Sequence, residues 1–416
     1  MSEPTVQPWN MFAPRADPSY PPFPPPDEEP DEIWGEEDIG EGTAWVYRSP
    51  GHTKVVRPVI ISDGFNSGES DLNELWHGME RGEFPFITEL RNQGSDLIIL
   101  GYNERSASIL ENAEVATACI LKAAGEPSRE AELAVGGFSM GGLVTRYALA
   151  KMEHENQNDH HTALYFSYDS PHRGAWIPIC LQAMAHFNRP LTPDMSNQIN
   201  SAAARQLLLW HITEYDDKPA ENPLRREFLD ELKRVGGWPD RPHKLGLANG
   251  SGSGVGNGVP PGKEALKCTG SLHPFNTTTL YTQASGDSQL VAQLKSSLIT
   301  NPPASEQPIM VYTSEMLEFD GAPGGTLESF GIARDVIAKY SPLGTTKSDY
   351  RSICFVPSIS AVAIRDPNDP ESLYADISSL SPEDSELDEF LCATDNQAHS
   401  LMTEELGRRL IDRLPK

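Results

Sequence analysis

The chain has 416 residues, a formal net charge of −27 and 38% hydrophobic residues, with 35 prolines and 33 glycines. This length suits one large α/β domain with insertions and many loops. The negative charge, offset by no basic stripe, argues against nucleic acid and anionic membrane surfaces as partners.

Residues 1–42 read as an arm. The run Pro21, Pro22, Phe23, Pro24, Pro25 and Pro26 favours extended backbone, and Asp27, Glu28, Glu29, Asp31 and Glu32 repel one another, so a solvated segment is expected. From residue 53 strands and helices alternate, the pattern of a mostly parallel sheet with helices on both faces. Strands are expected over 55–62, 96–101, 131–138 and 163–168, with helices over 108–124 and 142–150. Residues 175–235 break the rhythm with amphipathic helices over 175–187 and 202–212, an inserted cap. Its Trp176, Ile177 and Leu181 are candidates to line a hydrophobic pocket, although ordinary core packing accounts for the same pattern.

Strand character resumes over 244–249. Gly250, Gly252, Gly254, Gly256 and Gly258 then fall on every second residue, which matches neither a dinucleotide fingerprint nor a phosphate loop. The run reads as a flexible loop, the opening of a loop-rich insertion over about 250–345. Further strands are expected over 278–283, 308–313 and 352–364, and a helix over 402–414 closes the domain that begins at residue 43. Cys119, Cys180, Cys268, Cys354 and Cys392 show no Cys-x-x-Cys spacing, which suits a reducing cytoplasm. Residues 1–31 lack the pattern of an export signal, and no stretch reaches the ~18 apolar residues of a membrane span. No metal or cofactor is expected, since neither His-Glu-x-x-His nor an EF-hand spacing occurs.

The decisive segment is Gly137-Phe138-Ser139-Met140-Gly141, at the junction of an apolar strand and a helix. A serine there is lifted above the sheet on a strained turn, and flanking glycines keep side chains from colliding. The Met140 N–H then points toward a developing oxyanion at a helix N-terminus. A second donor is expected from the loop after the first central strand, with the Phe65 N–H the candidate. Asp63 stands in that loop where such enzymes usually carry the histidine of a His-Gly pair.

A serine nucleophile needs an imidazole, and His399 is the one histidine after the strand expected over 352–364. His172 more plausibly ties down its own loop; His160 and His161 lie in a polar turn, and His77, His186 and His211 on helices that could line the pocket. The acid that orients the imidazole is expected to be Asp169, at the end of the fourth strand, with Asp320, in a tight turn, as the alternative, while Asp395, close to His399, is read as shaping its own loop.

With these motifs the chain resembles serine hydrolases of the α/β-hydrolase superfamily, on the lipase/esterase side, from about residue 55 to His399. Ser-Pro-His-Arg-Gly over 170–174 is similar to a Thr-Pro-His-x-Gly segment of many bacterial lipases. Asp-Ser-Pro-His-Arg-Gly-Ala, Phe-Val-Pro-Ser-Ile-Ser-Ala and Asp-Asn-Gln-Ala-His resemble a group of largely uncharacterised bacterial lipase-like proteins. The resemblance implies an α/β-hydrolase fold, Ser139 as nucleophile and His399 as base, without settling the acid. Hydrolysis of a hydrophobic carboxylic ester is the first expectation. Acyl transfer or thioester cleavage in a biosynthetic pathway is the second, and a non-hydrolytic use of the fold the third.

Overall fold

The computed structural model describes residues 22–155, 159–299, 307–339 and 344–416. In chain order the first elements are β1 (Glu32–Trp34), α1 (Glu36–Ile39), β2 (Gly42–Tyr47), β3 (Pro58–Ser62), α2 (Leu72–Glu80) and α3 (Phe86–Asn92). Then come β4 (Asp96–Tyr102), α4 (Ile109–Ala124), β5 (Leu133–Phe138), α5 (Met140–His154) and β6 (Thr162–Tyr168). Four helices, α6 (Ile179–Phe187), α7 (Pro193–Ile199), α8 (Ala202–Leu207) and α9 (Pro223–Arg234), lead to β7 (His243–Ser251). There follow β8 (Glu264–Thr269), β9 (Thr279–Tyr281), β10 (Gln289–Leu294), β11 (Ile309–Thr313), β12 (Gly324–Leu327), α10 (Ser329–Lys339) and β13 (Thr345–Ser348). The chain closes with β14 (Ile353–Pro357), α11 (Ser358–Ala361), β15 (Glu389–Ala393) and α12 (Glu404–Ile411).

The central sheet has eight strands in the order β1-β2-β4-β3-β5-β6-β7-β15. It is parallel from β4 through β15 and antiparallel at β2 and β1. This is the α/β-hydrolase fold, with β5 mid-sheet. The central strands are apolar on both faces because both are covered. Ile60, Ile98 and Leu100 join the core under α4 and α5, while Val59, Ile61, Leu97 and Ile99 face α2, α3 and α12. No helix among the described residues is long and apolar enough to cross a membrane.

Four sequence expectations need correction. The arm is not solvated to residue 42. Arg81 donates to Pro25 O and Asp27, both at 2.7 Å, Arg91 pairs with Glu28, and Arg48 lies 2.9 Å from Glu32. These arginines offset the acidic run, and β1 adds Trp34 to the core at 1% exposure. The part of the arm before residue 22 lies outside the described residues.

The expected loop-rich insertion holds a five-stranded antiparallel sheet, ordered β11-β10-β9-β8-β13, which packs on α6. Its strands are short, three to six residues each, so their alternation is easily missed in the sequence. Nor is the glycine run a flexible loop. A Cβ on Gly250 would fall 2.2 Å from Gly324 Cα, and one on Gly256 2.1 Å from Gly321 O, so backbone passes against backbone there. Finally, the segment expected as the last sheet strand, 352–364, splits into β14 and α11 outside the central sheet. The last strand of the sheet is β15, hidden in an acidic stretch whose Glu389 is neutralised by Arg409 and Arg413.

The glycine run predicts a contrast in stability. Gly256→Ala should cost about 1–3 kcal/mol in chemical denaturation, since the methyl must push aside a carbonyl. Gly35→Ala, with nothing within 4 Å of the added methyl, should stay within about 0.5 kcal/mol.

Candidate active site

The turn between β5 and α5 puts Ser139 in a conformation that residues with a Cβ rarely adopt, φ 51° and ψ −122°. Such backbone costs on the order of 1–3 kcal/mol and persists only where surroundings enforce it. They do so here by close approach. A Cβ on Gly137 would lie 2.6 Å from the Gly141 carbonyl carbon, and one on Gly141 would lie 2.4 Å from Ser62 O. The first turn of α5 is thereby pressed against the loop that follows β3. The Ser139 N–H donates to Tyr168 O at 2.9 Å, locking the turn to β6.

Phe138 of β5 is in register with Tyr168 of β6, so the residues that follow, Ser139 and Asp169, end adjacent strands. Asp169 also has a positive φ, 50°. Its Oδ1 accepts the Asn249 N–H at 2.9 Å, and its Oδ2 accepts from His399 Nδ1 at 2.7 Å. Both side chains are fully buried. With Nδ1 donating to the carboxylate, Nε2 of the neutral ring is left as the acceptor. Ser400 Oγ lies 3.4 Å from that nitrogen, and Phe355 meets the imidazole edge to face at 4.8 Å.

The other two acid candidates are not brought to the histidine. Asp320 is buried and accepts from Trp176 Nε1 at 2.7 Å and from the Gln283 N–H at 2.8 Å. Burial, only partly offset by those donors, pushes its pKa up to about 6. Asp395 is exposed. Trp176, Ile177 and Leu181 are completely buried within the main core cluster, Trp176 stacked on Phe319 at 4.6 Å, so core packing accounts for all three.

Asp63, in the loop after β3, has a structural task. It accepts from the Gly64 N–H and from Ser70 Oγ, both at 2.6 Å, and Arg105 Nη1 lies 3.6 Å away. Arg105 also donates to Glu74 at 3.1 Å and to the Ser67 and Gly68 carbonyls. A buried charge cluster thus shapes the loop in which Phe65 stands, itself 1% exposed. Met140, the first residue of α5, is fully buried, and its N–H is one of the helix's N-terminal donors. Gln198 of α7 donates to Asn66 Oδ1 at 3.2 Å.

The remaining histidines serve the scaffold. His172 bonds Ser167 Oγ at 2.8 Å and stands 3.3 Å from Arg146, and burial with that cation holds its pKa well below the usual value. His160 is buried against Glu153 at 2.9 Å and is no surface residue, whereas His161 stays half-exposed. His186 joins α6 to Ser196 and Ile212 O, His211 reaches Ile199 O, and His77 packs on Phe23. Among the described residues no group of three His, Cys, Asp or Glu is placed to hold a metal ion. The sequence reading missed Asn249, whose amide holds Asp169, because that role belongs to backbone and carries no residue signal.

No protein-family model matches the chain, and no curated relative matches it. Among solved structures it is similar to the Bacillus licheniformis lipase BlEst2 in propeptide form, at 13% identity and TM-score 0.33, over 54% of this chain and 40% of that one. The mature form gives 14% identity and TM-score 0.32 over 54% of this chain and 74% of that one. A Pyrobaculum calidifontis esterase gives 14% identity and TM-score 0.31 over 50% and 61%. These values are too low to bear on activity or substrate, and the fold rests on the strand order and register above.

Asp320 predicts a pH effect on stability. Folded, it keeps its proton to about pH 6, whereas an unfolded aspartate loses it near 4. The folded state binds more protons in that window, so this contribution is present below pH 4 and lost as pH rises through 6. From pH 4 to 7, wild type should lose about 2 kcal/mol relative to Asp320→Asn, measured by denaturant unfolding.

Proposed function

We propose that this protein is a serine hydrolase that cleaves a carboxylic ester of a hydrophobic substrate through an acyl-enzyme on Ser139. The observation that carries the reading is the buried 2.7 Å hydrogen bond from His399 to Asp169, at the strand end beside the strained Ser139 turn. Asp169 fixes the tautomer of His399, and Nε2 takes the Ser139 proton as Oγ attacks the carbonyl carbon. The tetrahedral oxyanion is received by the Met140 and Phe65 amides, helped by the N-terminus of α5. Collapse breaks the ester C–O bond, with His399 returning the proton to the leaving alkoxide. Water, deprotonated by the same nitrogen, then attacks the acyl carbon; the Ser139 Oγ–C bond breaks, His399 returns the proton to Oγ, and the acid leaves.

Phe355 against the His399 ring and Met140 next to Ser139 give these groups apolar neighbours, which supports a hydrophobic acyl or alcohol group. Five unpaired cysteines, four of them buried, suit the reducing cytoplasmic location we assign. Transfer to an alcohol, amine or thiol acceptor would share the first half-reaction, and product analysis with such acceptors separates it from hydrolysis.

Steady-state kinetics on p-nitrophenyl esters of short and medium chain test the acid directly. Asp169→Asn should lower kcat by roughly 10⁴-fold, the size this substitution has in a Ser-His-Asp triad. Asp320→Asn should change kcat less than about tenfold, because that carboxylate does not touch the imidazole. Equal losses in the two variants would remove Asp169 from its role. Absence of wild-type turnover on every ester would count against hydrolysis.

A further inference from the structure

The loop that carries His399 has no regular structure of its own between β15 and α12. Two neighbours hold it. On one side the extended end of β7 is bonded to it: the Gln397 N–H donates to Asn249 O at 2.8 Å, and Asn396 Oδ1 accepts the Ser251 N–H at 2.9 Å. On the other side lies β12. There the His399 N–H donates to Thr326 O at 2.8 Å, Gln397 O accepts the Thr326 N–H at 2.9 Å, and Asn396 Oδ1 also accepts the Gly324 N–H at 2.9 Å. Asn396 Nδ2 donates to Val255 O at 3.0 Å, in the glycine run. One amide side chain thus joins three segments far apart in sequence.

β12 also seals the acid. A Cβ on Gly325 would lie 1.9 Å from Asp169 Oδ2, the oxygen that accepts from His399. That carboxylate cannot yield easily, since Asn249 N–H and His399 hold its two oxygens. β12 is itself backed by antiparallel pairing with β14, whose Phe355 packs on the imidazole. The close crossing of Gly250 with Gly324 closes the arrangement.

We propose that β12 is a strap that fixes the His399 loop over Asp169, with Asn396 and Gly325 as positioning residues of the active site. Resting on the hydrolase reading for its catalytic consequence, the strap makes the segment between β11 and β13 of the inserted sheet part of the machinery. Its effect on the imidazole is geometric: it holds Nδ1 on Asp169 and so aims Nε2. Displacement of such a group by about 1 Å costs on the order of 100-fold in rate.

The test is proton NMR of the full-length protein together with ester kinetics on Asn396→Ala, Asn396→Asp and Gly325→Ala. The low-field resonance of the His399 Nδ1 proton, identified by its loss in His399→Gln, reports the Asp169 bond without requiring turnover. Asn396→Ala and Gly325→Ala should broaden or shift it and lower kcat roughly 10–100-fold, with KM changed less than about threefold. Asn396→Asp, which keeps the Oδ1 acceptor for the Gly324 and Ser251 N–H groups but turns the Nδ2 donor into an oxygen facing Val255 O, should recover most of the resonance and give a kcat between those of Asn396→Ala and wild type. Because a methyl at Gly325 collides with Asp169, Asn396→Ala carries the same expectation independently of whether Gly325→Ala folds. An unchanged resonance with kcat within twofold in Asn396→Ala would overturn the strap. A resonance lost as expected in a protein that turns over no ester would leave the strap standing and remove the hydrolase reading instead.

Discussion

The site depends on one buried hydrogen bond, from His399 Nδ1 to Asp169 Oδ2, made between residues 230 positions apart. Neither partner has a solvent alternative, and a buried carboxylate without a donor is costly. The fold therefore has to deliver both groups together. β6 must end at Asp169, with backbone turned into the left-handed region, and the histidine loop must return over it from the far edge of the sheet. The strand order does this, since β7 and β15 follow β6 in space and place the chain after β15 near the ends of the central strands. Burial of the pair in apolar surroundings, with Phe355 against the ring, strengthens the bond and leaves Nε2 as the one nitrogen able to take a proton.

Much of the framework was legible because it follows from periodicity and sterics. The central strands β3, β4, β5 and β6 are buried on both faces and read as continuous apolar runs, and α4 carries its own N-cap serine, Ser108. Gly137 and Gly141 announced the Ser139 turn because only a missing side chain allows α5 to meet β5 and the loop after β3 so closely. His399 stood out by its position near the C-terminal helix. Asp169 could be placed first among three acids by topology, but the choice over Asp320 needed the pairing itself.

What stayed hidden is held by charge neutralisation or by backbone. β15 carries no strand signal in the sequence, because its acidic character is neutralised only in the fold, where Arg409 and Arg413 stand beside Glu389. The proline-rich segment looked solvated until Arg48, Arg81 and Arg91 were found against its acids and carbonyls. The glycine run looked flexible because glycine serves two purposes, freedom and close approach, and sequence does not say which. Asp63, whose task the sequence does not disclose, forms with Ser70, Arg105 and Glu74 the polar base on which the loop after β3 is built.

The central claim is that Ser139 is a nucleophile activated by His399. Its most direct measurement is covalent labelling by a fluorophosphonate, read by intact mass, for wild type, Ser139→Ala and His399→Ala. The account predicts one label per wild-type chain, none on Ser139→Ala and at most slow labelling of His399→Ala. A folded wild type that takes no label, or a label that persists at full stoichiometry in Ser139→Ala, would contradict it.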